Sequence, residues 1–234
     1  MEEILDDKSF EKSSLANLRN NEQRKTGVIV LFSIVTVFNI VMVFLLLSQV
    51  NLLEDAINGN IPTMEEAEAN DGNIVMTTAV SGIARIVLIV LFMMWMRRAY
   101  ANLIRIGVKT ESDDSVAIWS WFVPIYNFIK PVGMILEIWK LTQKKVQEFK
   151  SGFQINSSSA IIFIWWIAYV LNVILGVNAS MKNRNAIETG DLQGLVDASN
   201  ISMYGFILAT ISSIFGIIMV MQIGKAEKEL MNCE

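Results

Sequence analysis

Four long apolar blocks dominate the pattern of positions along the chain. The first, residues 27–50, reads GVIVLFSIVTVFNIVMVFLLLSQV and holds no charged side chain. The second, 74–96, is interrupted once, by Arg85, and the third and fourth, 158–177 and 201–223, are free of charge. Each reaches the roughly 20 residues with which a helix crosses about 30 Å of hydrocarbon. The pattern therefore predicts an all-α integral membrane protein with four transmembrane helices in a membrane domain over 27–224. Polar tails over 1–26 and 225–234 flank that domain, and within the first of them 14–24 is at most a short surface helix. A cleaved signal peptide would place a shorter apolar region nearer the start, so the first block is expected to be a permanent span.

A fifth stretch, 116–149, is harder to place. Its centre, SWFVPIYNFIKPVGMILEIWK, is long enough to span but carries two prolines, Lys130 and Glu137. Pro124 breaks any regular helix from Val116. From Lys130 onward the pattern has two faces: Lys130, Glu137, Lys140, Lys144 and Glu148 on one, and Val132, Ile135, Leu136, Trp139, Val146 and Phe149 on the other. Pro131 suits a first helical turn, where its missing N–H has no partner to lose. Trp119, Trp121, Tyr126 and Trp139 are side chains that favour the headgroup boundary.

Charge separates the alternatives. If 116–149 stays on one side, sixteen of the nineteen Lys and Arg face the cytoplasm, Lys182 and Arg184 lie outside, and Arg85 is within a span. If it crosses, the inner count falls to eleven and Lys130 joins Arg85 in the bilayer. The positive-inside rule favours the first arrangement. The expectation is a cytoplasmic amphipathic element, interfacial or re-entrant, with both termini cytoplasmic.

Composition narrows the chemistry. The chain is 53% hydrophobic and 18% charged, and it has no histidine and one cysteine, Cys233. The commonest metal ligand and general base is therefore absent, as is any intramolecular disulfide. No nucleophile motif stands out. The reading is of a protein that is not an enzyme, has no cofactor or metal and binds no nucleic acid.

One pattern is specific. WMRRAYANLIRIG, then SWFVPIYNFIKPVGMILEIWK, then the Trp pair of IIFIWWIAYVLN set out Trp95, Arg97, Arg98, Asn102, Trp121, Pro124, Asn127, Pro131, Glu137, Trp139, Trp165 and Trp166. This spacing resembles the bacterial membrane family known as domain of unknown function 4328, over roughly residue 74 to the end. The resemblance implies a multi-span fold in the bacterial cytoplasmic membrane, and it implies no activity. Arg85 stands where the family pattern suggests an uncharged polar residue.

Candidate sites follow from charge and spacing. A charge at mid-bilayer costs about 2.5–3.5 kcal/mol on insertion scales, so Arg85 needs a partner. It is expected either to contact an anion or gate, or to clamp helices through Asn39, Asn172, Thr210 or backbone carbonyls. Glu137 is expected to pair weakly with Lys140 or to reach Arg97, Arg98 or Arg105, with proton or cation coupling as the sharper alternative. Asn102 and Asn127 suit the locking of loose backbone groups. Gly205, Ala209, Ser212 and Gly216 form a small-residue stripe for helix packing, within the chain or across a homo-oligomer seam. Glu65, Glu66, Glu68 and Asp71 read as a solvated acidic loop rather than a cation site. Lys140, Lys144, Lys145 and Lys150 are expected to attract anionic lipid headgroups. The function expected is that of a membrane component working through protein or lipid contacts; a small transporter using Arg85 and the break at Pro124 is the alternative.

Overall fold

The computed structural model describes residues 14–233. Six α-helices follow in order: α1 (Glu22–Ile57), α2 (Met64–Arg105), α3 (Val116–Trp119), α4 (Lys130–Phe149), α5 (Ala160–Thr189) and α6 (Leu192–Met231), with a 3-10 turn at Tyr126–Phe128 before α4. No strand occurs among the described residues. Four helices, α1, α2, α5 and α6, are long and apolar enough to cross a membrane. The predicted all-α fold is thus present among the described residues, with four helices able to serve as the predicted spans. Outward-facing apolar side chains such as Val37, Phe44, Ile83, Ile86, Ile167 and Ile174 are exposed, as lipid-facing surface is.

The helices outrun the apolar blocks. At 36, 42, 30 and 40 residues, they measure roughly 45–63 Å at 1.5 Å per residue, well beyond the hydrocarbon. Two predicted loops are therefore corrected. The acidic segment is mostly the start of α2, where Thr63 and Glu66 form a capping box: Thr63 N–H and Oγ1 donate to Glu66 Oε2 at 3.1 and 2.8 Å, and Glu66 N–H donates back to Thr63 Oγ1 at 3.3 Å. These bonds hold the Glu66 carboxyl below its ordinary value. The polar loop over 178–200 shrinks to Gly190 and Asp191. Gly190 takes φ +69°, and Asp191 N–H donates to the Ala186 carbonyl at 3.0 Å, the six-to-one bond that ends a helix on a left-handed glycine. Hydropathy marks where lipid begins; helical hydrogen bonding continues past it wherever a cap permits.

Contacts divide the chain into two compact units. Among the described residues one comprises 14–30, 88–163 and 216–233. Its interior contains Trp95, Tyr100, Leu103, Met134, Ile135, Ile138 and Ile223, and a cluster of Leu15, Ile106, Val146 and Leu230. The expected solvated tail is corrected here: from Leu15 the chain joins this core, with Leu15 and Asn21 buried. Residues 1–13 lie outside the described part. The α4 helix keeps its predicted faces in outline, with Lys140, Lys144 and Glu148 exposed and Ile135, Trp139 and Val146 buried. Trp139 is therefore a core residue and not a headgroup anchor, because the apolar face of α4 packs on protein.

The other unit comprises 31–87 and 164–215. The small-residue stripe is buried at all four positions. In this unit it serves packing within the chain: Gly205 lies against Asn172 and Leu175, and Ser212 Oγ donates to the Trp165 carbonyl at 3.1 Å.

Candidate functional site

The motif residues from Trp95 to Trp139 lie in one unit, together with the end of α2 that follows the apolar block. Tyr100, fully buried, donates from its hydroxyl to Glu137 Oε2 at 2.6 Å, and Glu137 Oε1 accepts from the Glu111 N–H at 2.7 Å. The Ser112 N–H donates to the Tyr100 oxygen at 3.1 Å. A single carboxylate thus ties α4, α2 and the loop at 111–112 together. Burial, then the hydrogen bond to Glu137, push the Tyr100 phenol up to about 12, so the hydroxyl stays protonated and donating. The expected ion pair of Glu137 with Arg97, Arg98 or Arg105 is corrected: Tyr100 and a backbone amide take its oxygens, and Arg97 pairs instead with Asp114 at 2.7 Å.

Asn102 locks backbone as its position suggests. Its Oδ1 accepts from the Arg19 N–H at 3.1 Å, its Nδ2 donates to the Arg19 carbonyl at 2.9 Å, and Oδ1 also accepts from Arg105 at 3.0 Å. Asn127 does not repeat this: its Oδ1 is buried without a hydrogen-bond partner, and its backbone N–H donates to the Val123 carbonyl at 3.0 Å. The helix from Val116 is short as expected, ending at Trp119, before Pro124 is reached. After it Ile125 takes φ +67°, a left-handed conformation costing on the order of 1–3 kcal/mol for such a residue. Phe122, Ile125 and Ile129 around the break are exposed, and Trp119 stacks on Tyr126 with centroids 5.4 Å apart. Pro131 occupies the first turn of α4. Trp121 meets Phe92 edge-on at 6.0 Å, Phe92 in turn lies 5.4 Å from the buried Trp95, and the Trp165–Trp166 pair is buried in the other unit.

The arginines freed from Glu137 gather. A cavity of about 280 Å³ is lined, among the described residues, by Arg19, Arg24, Arg97, Arg98 and Arg105, with Asp114 as the one carboxylate and Met94, Ala101 and Ile118 as apolar wall. Burial, then mutual repulsion, hold the Arg98 and Arg105 guanidiniums below their ordinary values. A second cavity, about 290 Å³, is bordered by Asn21, Lys25, Asn102, Thr142, Gly224 and Glu227. Asn21 Nδ2 donates to the Trp95 carbonyl at 3.2 Å and to Glu227 at 3.3 Å. Burial raises the Glu227 carboxyl to about 7 despite Asn21 and Lys25. A Cβ at Gly224 would fall on the Lys25 stem, which keeps that position small.

In the other unit Arg85 has found its clamp. Its guanidinium donates to Asn39 Oδ1 at 2.6 Å and lies 5.3 Å over the Phe206 ring. Asn39 is fully buried, while Asn172 packs on Gly205. The predicted lipid-facing lysines are corrected in part. Lys145 is buried, paired to Glu148 at 2.8 Å and lying 5.3 Å over the Phe149 ring, and Lys150 pairs with Glu229 at 2.8 Å. Lys140, Lys144 and Lys150 are exposed, so the correction falls on Lys145 alone. Among the described residues no group of His, Cys, Asp and Glu could hold a metal ion.

Residues 59–225, well over half of the chain, match the family model described as a domain of unknown function, number 4328. The chain belongs to the domain of unknown function 4328 family. No curated protein and no solved structure matches it. The family match contains Tyr100, Asn102, Asp114 and Glu137, whereas Arg19, Asn21, Arg24 and Glu227 lie outside it and still converge on the same motif. Sequence reasoning missed Tyr100 and Asp114. Tyr100 sits inside RRAYAN, three residues after Arg97 on the same helical face, and that spacing was its available signal. Asn21 carries none, because only the fold brings it to Trp95.

Proposed function

We propose that this family member is a non-enzymatic, multi-pass component of the bacterial cytoplasmic membrane that works through lipid and protein contacts. One observation carries this reading: the two charged residues best placed for transport are engaged in structural bonds, Arg85 to Asn39 and Glu137 to Tyr100 and the Glu111 amide. In this reading both termini are cytoplasmic and the 116–149 element lies on the inner interface, with Phe122, Ile125 and Ile129 entering the bilayer edge. Lys140 and Lys144 face anionic headgroups there.

Protein reconstituted into vesicles is expected to show no ion or solute flux that Arg85→Gln or Glu137→Gln abolishes; flux lost in either variant would install the transporter reading instead. The orientation has its own measurement, since Cys233 is the only thiol. In intact spheroplasts an impermeant maleimide is expected to leave Cys233 unlabelled until the membrane is opened. Labelling before lysis would place the C-terminus outside and overturn the orientation.

A further inference from the structure

Five guanidiniums around one small cavity are an unusual use of charge. The pairing that would neutralise them, with Glu137, is absent because that carboxylate is committed to Tyr100 and Glu111 N–H. Among the described lining residues Asp114 is the one carboxylate, and it is bonded to Arg97. The cluster is also built rather than splayed: Asn102 clips the Arg19 backbone with two hydrogen bonds and holds Arg105 by a third. Arg19 and Arg105 are thus held by one side chain, while Arg97 and Arg98 stand side by side on α2.

We propose that this arginine cavity binds the phosphate group of an anionic ligand, with the headgroup of a phosphate-monoester lipid as the occupant the surroundings favour. Guanidinium forks match phosphate oxygens two at a time, and several converging forks favour a group with several acceptor oxygens over a single carboxylate. At about 280 Å³ the cavity is at the lower end of small-ligand sites, enough for a headgroup and short of a large nucleotide. Its wall includes Met94, within the apolar block of α2, so charged lining adjoins membrane-facing surface as an amphiphile requires. Basic pockets beside spans on the cytoplasmic side are known lipid-headgroup sites in physical terms. Repulsion among the arginines is relieved when the anion enters, which gives the ligand-bound state its stability. The proposal rests on the lipid-contact reading above and names the chemical class of that contact.

The test uses the full chain in an uncharged detergent, with its thermal unfolding midpoint followed as ligand is added, because a ligand that binds only the folded state raises that midpoint saturably. The probes are dioctanoyl phosphatidic acid, inorganic phosphate, and dioctanoyl phosphatidylcholine as the zwitterionic control. Phosphatidic acid is expected to saturate. The double variant Arg98→Gln, Arg105→Gln is expected to weaken its affinity by about tenfold or more, the loss of charge-assisted bonds. Lys182→Gln with Arg184→Gln, which remove surface charges paired with Asp197 and Glu188 in the other unit, should leave it within about twofold, as exposed ion pairs do.

Two further variants separate binding from folding. Arg98→Lys keeps the charge and loses the fork, and is expected to fall between wild type and the double variant. Asp114→Asn removes the one competing carboxylate and is expected to tighten binding about threefold, a direction that damage to the fold would not produce. Saturation by phosphatidic acid alone supports the lipid headgroup; comparable saturation by inorganic phosphate supports the phosphate site with a soluble occupant. The absence of saturable stabilisation by either, or a Lys182, Arg184 double variant that costs as much as the arginine pair, overturns the proposal. Flux is read separately, so a pocket that fails in flux-free vesicles removes the site alone, and variant-sensitive flux removes the wider reading while leaving a binding pocket in place.

Discussion

Glu137→Ala is expected to lower the stability of the folded protein by about 3 kcal/mol. The substitution removes both acceptor oxygens, and what it leaves behind is the larger part of the cost. Tyr100 has no exposed surface, so its hydroxyl loses a charged acceptor with no water to replace it. The Glu111 N–H loses its acceptor as well. Hydrogen bonds to charged groups contribute about 1.5–3 kcal/mol each, and the two share one carboxylate, so their losses do not add fully. Glu137→Gln retains one acceptor oxygen and should cost about half as much. Tyr100→Phe and Glu137→Ala act on one node, and the double variant should be less destabilised than the two single changes summed. Thermal or denaturant unfolding in detergent reads all three. A Glu137→Ala protein within about 0.5 kcal/mol of wild type, the range of an ordinary surface change, would show that the node carries no structural weight.

Asn39→Leu has the second large effect expected, about 2–3 kcal/mol. Asn39 is fully buried and its Oδ1 accepts the Arg85 hydrogen bond at 2.6 Å. With leucine in its place, an arginine in the middle of a span keeps only the Phe206 face as a polar contact, and an unpartnered charge there costs about 2.5–3.5 kcal/mol on insertion scales. The more telling measurement is the pair. Arg85→Met combined with Asn39→Leu removes donor and acceptor together, and replacing both partners of a buried polar contact is often close to neutral. The double variant is therefore expected to recover most of the stability that Asn39→Leu loses. Additive losses would mean that the two side chains are independent and the clamp is not what holds Arg85.

These two nodes differ in how far they were readable beforehand. Arg85 announced itself, since a lone charge in an apolar block must be partnered, and Asn39 was one of few polar side chains in the other spans. Glu137 was marked by its spacing in the motif, but its partners were not, because a carboxylate expected near Arg97, Arg98 and Arg105 is drawn to them by charge and to Tyr100 only by geometry. A buried phenol one helical turn beyond Arg97 outcompetes them: it loses its water on folding and has to bond somewhere, whereas exposed arginines keep theirs. The same preference for satisfying buried groups accounts for Asn102, whose amide meets the loose backbone at Arg19.

What the sequence by itself determined is the division of the chain between lipid and water. Four apolar blocks, the break at Pro124, the restart at Pro131 and the two faces of α4 follow from hydropathy, proline chemistry and helical period, each a property of a few neighbouring residues. Tertiary structure alone decided the partners: Leu15 and Asn21 in a core instead of a tail, Glu137 on Tyr100, Lys150 on Glu229, and five arginines from separated segments around one cavity. Those outcomes depend on residues as far as 206 positions apart, as Asn21 and Glu227 are. Local pattern says which stretches are apolar; it does not say which polar groups will be buried with them or which donor will reach which acceptor.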